Sequence, residues 1–98
     1  MNTSSNAVYQ WRARPADEVV WRALDEDYVL YHRPSGKTHF LNAASRSLLS
    51  DILTTPQTAA AAADALASRS GVAADAAFVA TVTDTLAQLD HLGLIDRV

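Results

Sequence analysis

The chain has no cysteine, which excludes a disulfide framework and a thiolate-held metal, so the fold must rest on its apolar core. It has no apolar run near the roughly twenty residues that span a bilayer. Its N-terminus also lacks a basic stretch leading into an apolar one. A soluble protein, cytoplasmic by default and without a membrane partner, is expected. Positive charge is scarce in the second half. After Ala60 only Arg69 and Arg97 supply it, against Asp64, Asp75, Asp84, Asp90 and Asp96. Phosphates are held by cations, so this distribution argues against nucleic acid.

What is present suits one small domain: 49% of the 98 residues are hydrophobic, enough for a core without a staple. Residues 1–18 read as a flexible N-terminal segment, small and polar to about Asn6, and residues 19–98 as the folded domain. The triplet Trp-Arg-Ala occurs at Trp11–Ala13 and at Trp21–Ala23 without further copies. It is therefore not an architectural repeat, and its first copy is expected outside the core strands. Tyr9 and Trp11, if exposed, are candidates for self-association or partner contact.

Val19–Leu24 is β-rich and is followed by the turn-forming Asp25-Glu26-Asp27, which predicts a first strand, a reversal and a second strand from about Tyr28. Arg33-Pro34-Ser35-Gly36 has proline second and glycine fourth, as in a type I turn closed by a bulged glycine. That turn pairs Arg33 with Lys37. It predicts Tyr28, Leu30, His32, Thr38 and Phe40 on one face, and Val29, Tyr31, His39 and Leu41 on the other. The third strand, about Lys37–Leu41, becomes an open edge of an antiparallel meander.

Helices follow. Asn42 is a good N-cap for a first helix, with Ala44, Leu48, Leu49, Ile52 and Leu53 on its apolar face, Ser45, Arg46 and Ser50 on the other, and Thr54-Thr55-Pro56 ending it. Thr58 caps a second helix to about Ser68, anchored by Leu66 and ended by Gly71. Asp75 caps a third, to about Leu92, with a core stripe of Phe78, Val82, Leu86 and Leu89. Gly93 stops it, and Leu94 is placed to fold back on Leu89. Beside the core stripe runs a second one of short side chains, Ala76, Ala80, Thr83, Ala87 and Asp90. Ordinary boundary positions account for it, and so does one wall of a groove beside the third strand.

No chemistry is expected of the polar residues. The expected register sends His32 and His39 to opposite faces, and no carboxylate pair completes a metal set. His91 suits the free carbonyls at a helix end. Ser35 and Ser45 have no base oriented by a third group. Gly36 lacks the companions of a phosphate-binding loop. A non-enzyme without cofactor or metal is the expectation.

The order of elements, the segment Ser35-Gly36-Lys37-Thr38-His39-Phe40-Leu41-Asn42 and the closing Leu89-Asp90-His91-Leu92-Gly93-Leu94-Ile95 resemble the PqqD family of small peptide chaperones. Trp21-Arg22 and Tyr28-Val29-Leu30-Tyr31 make it similar to the HPr-rel-A system subgroup, across about Val20–Ile95. The resemblance implies an α+β, winged-helix-like fold, a three-stranded antiparallel β-meander followed by three α-helices, of the kind that serves as the recognition element for ribosomally synthesised, modified peptides. It implies that a precursor's leader peptide adds as a strand to the third strand and lies against the third helix. By position the contacts would be Lys37, Thr38, His39, Phe40 and Leu41, with Ala80, Thr83, Ala87 and Asp90 on the helix. The implied partners are that peptide and an associated modifying enzyme. Other partners stay open: a kinase-like protein docked in the same groove, a second copy of the chain, or DNA, although Ala76–Leu92 has no lysine or arginine to hold phosphates.

Overall fold

The computed structural model describes residues 9–98, and the expected disorder of Met1–Asn6 lies outside them. Among the described residues, six strands and three α-helices make an α+β fold with two small antiparallel sheets: β1 (Gln10–Ala13), β2 (Val19–Leu24), β3 (Asp27–His32), β4 (Lys37–Leu41), α1 (Ala43–Ser47), β5 (Gln57–Thr58), α2 (Ala59–Ser70), α3 (Ala76–His91) and β6 (Ile95–Arg97). One sheet has the order β2-β3-β4 and the other β5-β1-β6. The second sheet corrects the expectation of a single meander, and it corrects the flexible segment as well. Gln10–Ala13 is a strand, held by β5 on one side and β6 on the other, and Ala16–Glu18 forms a 3-10 turn. Trp11 and Ala13, expected outside the core strands, pack against the core. Strands of two to four residues paired with distant segments carry too little periodicity to be seen in sequence.

The β3–β4 turn departs from expectation by one residue. His32, not Arg33, pairs with Lys37, so the loop has four residues, Arg33–Gly36. Gly36, at φ 70°, donates its amide to His32 O at 2.8 Å and more weakly to Arg33 O at 3.3 Å, a four-residue loop built around a type I turn. A one-residue change in pairing turns every β4 side chain over. Tyr28, Leu30, His32, His39 and Leu41 therefore share the core-facing side, while Val29, Tyr31, Thr38 and Phe40 face outward. Leu30 is 1% exposed and Phe40 74%.

The helices start as their caps dictate. Side-chain oxygens of Asn42, Thr58 and Asp75 accept from the amides of Ser45, Ala61 and Phe78 at 2.8, 3.0 and 2.8 Å, each satisfying an amide that the first turn leaves free. The first helix is shorter than expected. After Ser47 it widens into a π turn, Leu48–Ile52, with Leu53 N–H bonded to Leu48 O at 2.8 Å. The wider turn narrows the arc over which Leu48, Leu49, Ile52 and Leu53 point, and all four are buried. Ser45 is buried too, instead of facing solvent. At the far end of α3, Leu94 N–H bonds Leu89 O at 3.0 Å and Gly93 N–H bonds Asp90 O at 2.9 Å, with Gly93 at φ 78°. These are the two bonds of a Schellman ending, and both leucines are buried.

A single core joins the layers: Leu30 and Leu41 from the meander, Leu48, Leu49, Ile52 and Leu53 from the π turn and its end, Ala62, Ala63 and Leu66 from α2, Val82, Leu86 and Leu89 from α3, then Leu94 and Ile95. The register is open to a paired test. Leu41→Ala is expected to cost about 2–4 kcal/mol in urea unfolding, and Phe40→Ala less than about 0.5 kcal/mol. The opposite ranking would restore the shorter loop.

Candidate functional site: an open strand edge

Among the described residues β4 pairs only with β3, so its other side is a sheet edge. Which main-chain groups face that edge follows from the ladder. Arg33 N–H bonds Glu18 O at 2.8 Å, beside the Val19–His32 pair. Since the bonding direction alternates along a strand, Tyr31 and Val29 also bond toward β2. His32, Leu30 and Tyr28 bond toward β4, through their partners Lys37, His39 and Leu41. The main chains of Thr38 and Phe40 are therefore turned outward, each with one N–H and one C=O for an added strand.

The sequence-assigned contacts thus divide. Thr38 and Phe40 have both main chain and exposed side chain on the outer side. Lys37 has an exposed side chain, but its amide is 3.3 Å from Ser35 Oγ. Leu41 is buried in the core with its main chain turned to β3. Ala80, Thr83, Ala87 and Asp90 all lie exposed on α3, where Thr83 donates its hydroxyl to Val79 O at 2.8 Å. The extensive packing of α3 is with α2 and β6, and that of β4 is with β3. Leu41 of β4 and Val82, Leu86 and Leu89 of α3 belong to one core, but β4 and α3 do not pack extensively on each other, so strand edge and helix stripe do not form the walls of one groove by direct contact.

His39 sits on the core-facing side, half-buried, and its Nε2 has no hydrogen-bond partner. Burial disfavours the imidazolium, and His32 and Lys37 add repulsion, so its pKa is held below the ordinary value. His32 lies on the same face, contrary to the expected separation, but it is engaged elsewhere. Its Nδ1 is 2.9 Å from Ser35 Oγ and its Nε2 3.4 Å from Glu18 Oε1. Glu18 in turn accepts from Arg14 Nε at 3.0 Å and Nη2 at 2.7 Å. That fork holds its carboxyl below the usual carboxylate range. The order Ser35–His32–Glu18 places a base beside a hydroxyl, yet all three belong to the packing of the hairpin tip: Ser35 Oγ also lies 3.5 Å from His32 O and 3.3 Å from Lys37 N. Among the described residues, no three histidine, aspartate or glutamate side chains gather as metal ligands.

Two features went unseen in the sequence. Arg46 on α1 stacks its guanidinium 4.7 Å from the Trp21 ring and 5.0 Å from the Tyr28 ring. Those rings meet edge to face at 6.3 Å, so the helix that follows β4 is fastened to the meander by cation–π contact. The second feature is a cleft of about 530 Å³ between the two sheets, with Trp21, Leu30, Leu49 and Leu94 among its walls. Tyr9 is 52% exposed beneath the Arg97 guanidinium at 4.3 Å, whereas Trp11 is committed to the core. No described helix is long and apolar enough to cross a membrane.

The folded state disfavours protonated His39, so its contribution to stability is intact above about pH 6.5 and falls progressively below it. Glu18 adds a second loss as pH drops below about 4.5. Unfolding by urea at about pH 7.5 and about pH 5.5 is expected to show less of this loss for His39→Gln than for the parent chain. Equal slopes would remove His39 from the pH dependence. Compared with known proteins, the chain matches no family model, no curated protein and no solved structure.

Proposed function

We propose that this protein is a non-catalytic peptide-recognition module that takes an extended segment of a precursor peptide as a fourth strand on β4 and presents it to a modifying enzyme. The observation that carries the reading is the outward main chain of Thr38 and Phe40 on an edge that no described strand covers. Phe40 is 74% exposed beside it. Strand addition draws affinity from such main-chain groups and selectivity from alternate side chains. An exposed phenylalanine on an open edge is a liability unless a partner covers it.

The winged-helix-like arrangement belongs to the same proposal: β2-β3-β4 supplies the wing, and the exposed stripe Ala80, Thr83, Ala87 and Asp90 offers short side chains to a bound chain. The resemblance of Ser35–Asn42 and Leu89–Ile95 to the PqqD peptide chaperones supports it. A kinase-like enzyme docked at the same edge differs only in the partner.

Phe40→Pro tests the edge directly. It deletes an outward N–H while leaving the β3–β4 ladder its bonds, and edge strands tolerate proline. The full chain and this variant, immobilised in parallel, are expected to differ by at least about tenfold in peptide retained from native lysate, read by mass spectrometry. Ala23→Pro, on the opposite edge of the sheet, is the control and is expected to retain peptide normally. Equal retention by a folded Phe40→Pro would eliminate strand addition at β4.

A further inference from the structure

The meander has a second side, which the core leaves bare. The helices meet it through Leu30 and Leu41 on its inner side, where Arg46 of α1 also lies on Trp21 and Tyr28. Seven large apolar side chains are exposed among the described residues, and four of them stand together on the outer side. They are Val20, Leu24 and Tyr31, each more than 40% exposed, and Phe40. The solvated side of an antiparallel sheet is ordinarily its polar one. An apolar side left in water marks a contact surface.

The register sets this side out in rows. Val20, Tyr31 and Thr38 lie abreast across β2, β3 and β4, and Arg22, Val29 and Phe40 form the next row. That second row has an exposed cation at one edge of the sheet and an exposed aromatic ring at the other, with half-buried Val29 between them. Such a row complements itself when a second copy is turned about an axis running along β3. Arg22 of each copy then meets Phe40 of the other, a favourable cation–π pairing of two residue types enriched at interfaces. Val29 meets its own counterpart, as does Tyr31, and Val20 meets Thr38. An axis across the strands would instead set Arg22 against Arg22. A contact that repeats one patch on both copies is the ordinary geometry of a two-fold dimer.

We propose that two copies of this protein pack outer side to outer side across the meander, with Arg22 of each on Phe40 of the other. Three strands about 4.8 Å apart and up to about 20 Å long give a footprint of roughly 15 by 20 Å on each copy. That is below the standard size of a stable interface, so the dimer is a reversible one. It uses the side of the sheet and leaves the main-chain edge of β4 open, so it stands whether or not a peptide adds there.

Sedimentation equilibrium of the full chain measures it. The parent is expected to pass from monomer toward dimer between about 10 μM and about 1 mM, the range of a small interface. Tyr31→Lys sets like charges against each other on the axis, and Phe40→Arg sets a second guanidinium against Arg22. Each is expected to stay monomeric throughout. Combining Phe40→Arg with Arg22→Glu puts an ion pair at both ends of the row, and is expected to bring the dissociation constant back to within about threefold of the parent's. Within one copy these two positions are two strands apart, about 10 Å, so the rescue reports contact between copies. All three positions are exposed, and circular dichroism is expected to stay that of the parent in every variant. The proposal fails if the folded parent is monomeric at about 1 mM, if either single variant associates as the parent does, or if the doubly substituted chain stays monomeric.

Discussion

The length of one hairpin loop governs most of what surrounds it. Four residues between His32 and Lys37 decide which side of β4 enters the core, and a strand has only two sides to choose between. With this loop Leu41 joins Leu30 beneath the helices and Phe40 stands in solvent. With one residue fewer, the phenylalanine would fill the core and the leucine would line the surface. The loop is itself secured from below. His32 holds Ser35, Glu18 braces His32, and Arg14 braces Glu18. A charged cluster of partly exposed groups adds little to stability pair by pair, but this one ties the hairpin tip to the approach of β2 and, through Asp96, to β6.

The fastening of α1 is of another kind. Arg46 covers the edge-to-face pair of Trp21 and Tyr28 and is oriented by Ser50. A long side chain of this sort packs apolar methylenes as well as charge, so it closes the meander's inner side just where the chain leaves β4. Helix α1 is thereby fastened to β2 and β3, and β3 in turn holds β4 in register. An edge ordered in advance loses less entropy when a chain pairs with it.

The parts of the fold encoded by short-range chemistry were legible in the sequence. Asn42, Thr58 and Asp75 cap the helices they precede, and Gly93 with Leu94 ends α3 by bonds among neighbouring residues. The edge position of β4 was legible as well, because consecutive hairpins place strands side by side. What escaped depended on distant partners or on a choice between near-equal options. Proline then glycine in Arg33–Gly36 suits a three-residue or a four-residue loop; the deciding factor is which register buries Leu41. β1, β5 and β6 are strands only because they meet one another. The π turn answers to four apolar residues competing for one side of a helix, and the cleft exists only once residues of both sheets are brought together.

The pairing of Arg12 with Asp96 sets an order on assembly. A contact across more than eighty positions carries the loop-closure entropy of nearly the whole described chain, whereas the turns of the meander close over two and four residues. On a ribosome the meander and the first helices can collapse while β6 is still unsynthesised, and until then β1 has only β5 to pair with. The second sheet is thus a clasp, completed last, and the cleft lacks its Leu94 and Asp96 wall until β6 has emerged.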